Sequence, residues 1–117
     1  EKACLMKYSV FVVEEAERDL REICRYVFRN DSPAKADRLL INIEKTVMKL
    51  GAFPLRGHIP PELERIGVTE YREVFFKPYR IIYQVAGPAV YVYCVLDGRR
   101  DLQDLLQERL LRTGPIE

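Results

Sequence analysis

The chain has 117 residues, 48% hydrophobic and 32% charged, the balance of a globular protein with one modest core and little room for a second domain. Nineteen Lys and Arg face 18 Asp and Glu, a net charge of +1, which excludes a protein that coats nucleic acid by bulk charge. No apolar run approaches a membrane span, and residues 1–7 are too short and polar for a secretory signal.

The expected setting is therefore the cytoplasm, without membrane contact. Cys4, Cys24 and Cys94 are widely spaced, with no CxxC and no paired Cys/His spacing, so neither a metal nor a cofactor is expected. Cys24 falls in a helical pattern and Cys94 in a strand pattern, where a free thiol acts as a small core residue. An odd cysteine count fits a reducing compartment. Met6 is a possible start, making residues 1–5 an extension, and residues 113–117 read as a frayed tail on a single domain spanning 1–117.

Lys7 to Val13 alternates and is rich in β-branched and aromatic residues, which predicts a strand. Ala16, Leu20, Ile23, Val27 and Phe28 then recur at spacings of three and four, predicting a helix from Glu14 to about Arg29. Glu14, Glu15 and Glu17 at its start and Arg25 and Arg29 at its end suit the helix dipole. Asn30-Asp31 breaks the pattern, and Ser32-Pro33 restarts it as an N-cap and first helical residue. Ala36, Leu39, Leu40, Ile43, Val47 and Leu50 form the second stripe, with Gly51 placed to cap its end. So short a connection makes the two helices an antiparallel hairpin, whose stripes need a sheet to cover.

Phe53 to Val68, with Pro54, Pro60 and Pro61, reads as a long linker, pinned by Leu63 and Ile66. Tyr71 to Lys77 and Tyr79 to Val85 are strands separated at Pro78, which cannot donate to a ladder. Ala86-Gly87-Pro88 is a turn, and Ala89 to Leu96 is a third strand. Simple alternation sorts that strand into Val90, Val92, Cys94 and Leu96 against Ala89, Tyr91, Tyr93 and Val95, apolar on both faces and hence central. Asp97-Gly98 turns the chain, and Asp101 to Arg112 reads as a final helix. The order β-α-α-β-β-β-α predicts an α+β fold: a helical hairpin and a C-terminal helix packed on a small, mainly antiparallel sheet.

This order, the segment YREVFFKPYRIIYQV from Tyr71 and the closing VYVYCVLDGRRD resemble the RelE/ParE superfamily of bacterial toxins, over Met6 to about Arg112. The resemblance implies the toxin half of a type II toxin–antitoxin module, used in plasmid stabilisation and growth inhibition and silenced by a cognate antitoxin. The superfamily holds two activities on one fold. RelE-like members cut mRNA in the ribosome, whereas ParE-like members poison DNA gyrase and cut nothing. A chain that has lost toxicity and only binds antitoxin is a third reading. A homodimer or a toxin–antitoxin hetero-oligomer is compatible with each.

Metal-independent RNA cleavage needs a base, cations for the phosphate and an acid. By resemblance, Arg80 and Arg100 match the two phosphate-binding arginines and Arg72 one of the paired lysines of the nucleases. Val74 stands where the other lysine would be, and Leu106 where a tyrosine would be. His58 and Glu73 are the remaining proton-transfer candidates. His58 reads more readily as a loop residue, and Glu73 as a cross-strand partner for a basic residue. Arg80 reads equally as a cation for phosphate or as a structural ion pair. Tyr79, Tyr83, Tyr91 and Tyr93 read mainly as sheet residues. The missing Tyr and Lys, with a helical hairpin of about seventeen residues per helix, favour the ParE-like reading. Arg99, Arg100, Leu106 and Arg109 are then the candidate contacts to antitoxin or target.

Overall fold

A computed structural model describes residues 8–98 and Arg109. The elements are β1 (Ser9–Val12), α1 (Glu14–Asn30), α2 (Pro33–Met48), α3 (Pro61–Glu64), β2 (Arg72–Phe76), β3 (Tyr79–Ala86) and β4 (Ala89–Asp97). They form an α+β fold with the sheet order β1-β4-β3-β2. β1 runs parallel to β4; the helical hairpin and the segment after it carry the chain from β1 to β2 at the opposite edge, and β2–β3 and β3–β4 are antiparallel. Among the described residues no helix is long and apolar enough to cross a membrane.

Local chemistry accounts for the helix boundaries. Ser32 accepts the backbone N–H of Lys35 at 3.1 Å and Pro33 opens α2. No side chain caps α1, whose first turn instead carries Glu14, Glu15 and Glu17 against the positive end of the dipole. α2 ends at Met48, earlier than its stripe implied, and tightens into a 3-10 turn over Lys49–Gly51, so Gly51 closes that turn instead of capping the helix.

The sheet has two apolar faces. Val74, Ile81, Tyr83, Val90, Val92 and Val95 meet Ala16, Leu20, Ile43, Val47 and Leu50 under the helices. Tyr71, Ile82, Tyr93, Cys94 and Leu96 form a second cluster with Leu63. The sorting of β4 differs from simple alternation. A register shift between Ile82 and Tyr83 pairs them with Cys94 and Val92, leaving Tyr93 as an extra residue. The bulge reverses the faces beyond it, so Cys94 joins the second cluster and Val95 the first.

Two other expectations need correction. The segment read as a plain linker contains α3, and Leu63 on it is fully buried. Phe28, read as core, is 55% exposed, because Ala16, Leu20 and Ile23 already occupy the sheet-facing side of α1. The proposed C-terminal helix lies outside the described residues except for Arg109, which is helical.

Candidate functional site

The polar chemistry of the described residues gathers where the 53–68 segment crosses the β2 edge and the second sheet face. Glu73 lies mid-strand in β2 and Arg80 near the start of β3, on the same face, and both are buried, at 1% and 7% exposure. Arg80 Nε donates to Glu73 Oε1 at 2.7 Å. Its Nη1 and Nη2 donate to the two oxygens of Glu62, on α3, at 2.6 and 2.8 Å, a bidentate fork. The other Glu73 oxygen lies 2.8 Å from Nε2 of His58. The backbones of His58 and Glu73 also exchange hydrogen bonds, at 3.1 and 2.7 Å. Gly98 lies against the Arg80 stem, so closely that a Cβ there would sit 2.9 Å from Cγ.

A second group ties down the start of the same segment. Arg72 Nη1 donates to the Gly57 carbonyl at 2.7 Å and to Leu55 at 3.4 Å. The Tyr83 hydroxyl donates to the Pro54 carbonyl at 2.7 Å and accepts the Gly57 N–H at 3.0 Å. Only glycine fits at residue 57: a Cβ would lie 2.5 Å from the Glu73 carbonyl oxygen and 2.7 Å from the Tyr83 hydroxyl.

Charge follows the geometry. Glu62 and Glu73 raise the Arg80 pKa further, so it remains a cation throughout the accessible pH range. Hydrogen bonding from Arg80 outweighs desolvation and holds the Glu62 carboxyl below its ordinary 4.5. A carboxyl whose pKa is lowered on folding adds stability that is complete above the unfolded value and lost as pH falls through the folded one. A carboxyl-resolved NMR titration is expected to place Glu62 below 4.5, with acid destabilisation beginning only under that pH; a midpoint at or above 4.5 would contradict the ion pair.

Arg109 sits elsewhere. It donates to Asp19 at 3.2 Å and to the Tyr93 carbonyl at 3.4 Å, with Glu15 at 3.6 Å. Asp19 also accepts the Val95 N–H at 3.1 Å, and burial raises its pKa despite Arg109. Burial likewise pushes the Cys94 thiol up to about 12. Among the described residues no three His, Cys, Asp or Glu side chains gather as metal ligands.

The structure thus brings Arg80, Glu73 and His58 together, and places Arg72 beside them on loop carbonyls. Arg99, Arg100 and Leu106 lie outside the described residues. Tyr83 serves the loop, Tyr93 reaches Gln84 at 3.3 Å and Tyr91 stacks on Phe11. Glu62 was not singled out by sequence, since a Pro-Glu-Leu-Glu run in a linker gives no sign of a buried partner eighteen residues on.

Sequence reasoning also missed a groove between α1 and α2, about 750 Å³ in volume. Its floor is Leu20, Ala36, Leu40 and Val47, and Phe28 and Met48 stand in its wall, 55% and 48% exposed. Arg21 and Arg25 line the α1 side, and Asp37 and Glu44 the α2 side. The signal was present: Phe28 beside Val27 and Met48 beside Val47 widen each stripe beyond what one sheet can cover.

Comparison with known proteins follows the fold. Residues 10–102 match the family described as ParE toxin of type II toxin-antitoxin system, parDE. Toxin ParE of Escherichia coli is 31% identical over 106 residues, 87% of this chain and 96% of that one. Toxin ParE3 of Caulobacter vibrioides is 33% identical over 84 residues, 72% of this chain and 80% of that one. A solved structure titled chromosomal ParDE TA system from P. aeruginosa superposes with a TM-score of 0.66 at 19% identity, covering 79% of this chain and 97% of that one.

Proposed function

We infer what the protein does from its family: the chain belongs to the ParE toxins of type II toxin–antitoxin systems. On that basis we propose a toxin that is silenced by a cognate antitoxin and, when released, inhibits DNA gyrase without cutting nucleic acid. The observation that carries the non-enzymatic reading is the state of Arg80. A phosphate-binding arginine must offer its fork to the substrate, whereas both edges of this guanidinium are occupied by Glu62 and Glu73. Arg72 is likewise spent on backbone carbonyls. Glu73 is held between Arg80 and His58, which supports a structural role for its carboxylate.

The groove between α1 and α2 is the proposed seat of the antitoxin, as an amphipathic helix. The eleven steps from Glu17 to Phe28 give it a length of roughly 16 Å, three helical turns. Arg99, Arg100, Leu106 and Arg109 remain proposed contacts to antitoxin or target, with Arg109 tethered to α1 through Asp19.

Purified toxin is expected to inhibit supercoiling by gyrase, with the inhibition relieved by the antitoxin, and to leave mRNA uncut in a translating ribosome extract. Discrete mRNA cuts would instead establish an endoribonuclease. Absence of growth arrest on induction without antitoxin would reduce the chain to an antitoxin-binding module.

A further inference from the structure

Segment 53–68 crosses a sheet face that it does not join as a strand. Its four-residue helix α3 is too short to hold its own shape, since nucleating a helix costs more than so few bonds return. Yet Leu63 on α3 is fully buried against Tyr71, Ile82, Tyr93, Cys94 and Leu96. Something outside α3 must keep it there. Arg72 and Tyr83 anchor only residues 54–57, and two attachments hold the part beyond them. His58 is joined to Glu73 by paired backbone hydrogen bonds and by its side chain, and Glu62 is joined to Arg80 by side chains alone. Pro60 and Pro61 lie between them and stiffen the connection. Arg80 and Glu73 link both attachments into one chain of contacts through the fold.

We propose that Glu62–Arg80–Glu73–His58 is a clasp with Arg80 as its hub, holding residues 58–68 closed as a strap over the second sheet face, hinged on the 54–57 anchor, and that this strap opens as a unit when the Glu62 link is cut. Arg80 is a positioning residue in this arrangement. Glu62 is the breakable link because it sits at the rim, with its side chain 18% exposed, whereas Glu73 is sealed beneath. This inference is independent of the toxin's target.

Amide hydrogen exchange on the full chain tests it. Glu62→Gln keeps the side-chain shape and removes the charge. The amides of His58, Leu63, Val68 and Glu73, which bond within the strap or across its seam, are expected to exchange about tenfold faster or more, the loss of a charge-assisted hydrogen bond. Those of α1, β3 and β4 should keep their wild-type rates. Gly57→Ala wedges the strap from its other end with every clasp charge intact, and should accelerate the same four amides. Glu64→Gln, on the exposed side of α3, should change none. Wild-type exchange in Glu62→Gln, or a uniform rise across β3 and β4, would overturn the clasp. Acceleration in Gly57→Ala confined to residues near 57, with Leu63 and Val68 unmoved, would overturn opening as a unit.

Discussion

Replacing Arg80 by methionine is expected to cost roughly 3–5 kcal/mol of folding stability, enough to consume much of the margin of a domain this size. The substitution keeps an apolar stem but leaves the Glu73 carboxyl, 1% exposed, without the guanidinium that shares its burial. Glu62 fares better because it lies nearer solvent. Urea denaturation with an unchanged slope would read the loss directly. The double variant Arg80→Met, Glu73→Leu should recover part of it, since an apolar pair removes the stranded charge. If Arg80→Met instead unfolds within about 1 kcal/mol of wild type, the buried ion pair is not structural. The consequence for function is direct: loss of toxicity in an Arg80 variant would reflect a weakened fold and would not identify a cation that binds phosphate.

The same residue shows where sequence reasoning stopped. Its position in a strand was legible from the alternation of Tyr79 to Val85, and its identity allowed either phosphate binding or an ion pair. The choice depended on Glu62, and nothing in local pattern ties a glutamate in a Pro-rich stretch to a strand residue across a loop. Period and turn chemistry report contacts within a few residues, whereas this fork is made by tertiary closure. The bulge at Tyr93 is similar. An inserted residue leaves the composition of a doubly apolar strand unchanged, so the swap of Cys94 and Val95 between faces had no sequence signature. By contrast, the helical hairpin and the central place of β4 were legible, because each rests on a long periodic run or on apolar residues in both alternating sets. β4 is central because it inserts between β3 and the first strand, β1, to which it runs parallel.

The groove between α1 and α2 exposes a different limit. An apolar stripe says that a helix face is covered but not by what. Ala16, Ile43 and Leu50 are covered by the sheet, whereas Phe28 and Met48 stay in the open wall. Single exposed apolar residues are ordinary, but several lining one concave, elongated surface mark a place for a partner.

Phe28→Glu is accordingly expected to yield a toxin that still arrests growth but is no longer neutralised. Phe28 is more than half exposed, so its replacement should alter stability by about 0.5–1 kcal/mol at most. In the complex, the proposed antitoxin helix would bury it, and a carboxylate there would be desolvated between Leu40 and the incoming apolar face. Losing an aromatic anchor of this kind costs about 2 kcal/mol or more, a weakening of roughly thirtyfold. Met48→Glu, at the opposite end of the groove, should act in the same direction, and the two ends are far enough apart for their effects to add. Co-expression of each variant with the antitoxin reads the result as arrested growth where the wild-type pair grows, and titration calorimetry reads the affinity. Full neutralisation of the double variant would remove the groove as the antitoxin seat and shift the interface towards the C-terminal residues around Arg109. The supercoiling assay of each variant, run without antitoxin, separates target inhibition from antitoxin binding: unchanged inhibition with lost neutralisation assigns the groove to the antitoxin alone.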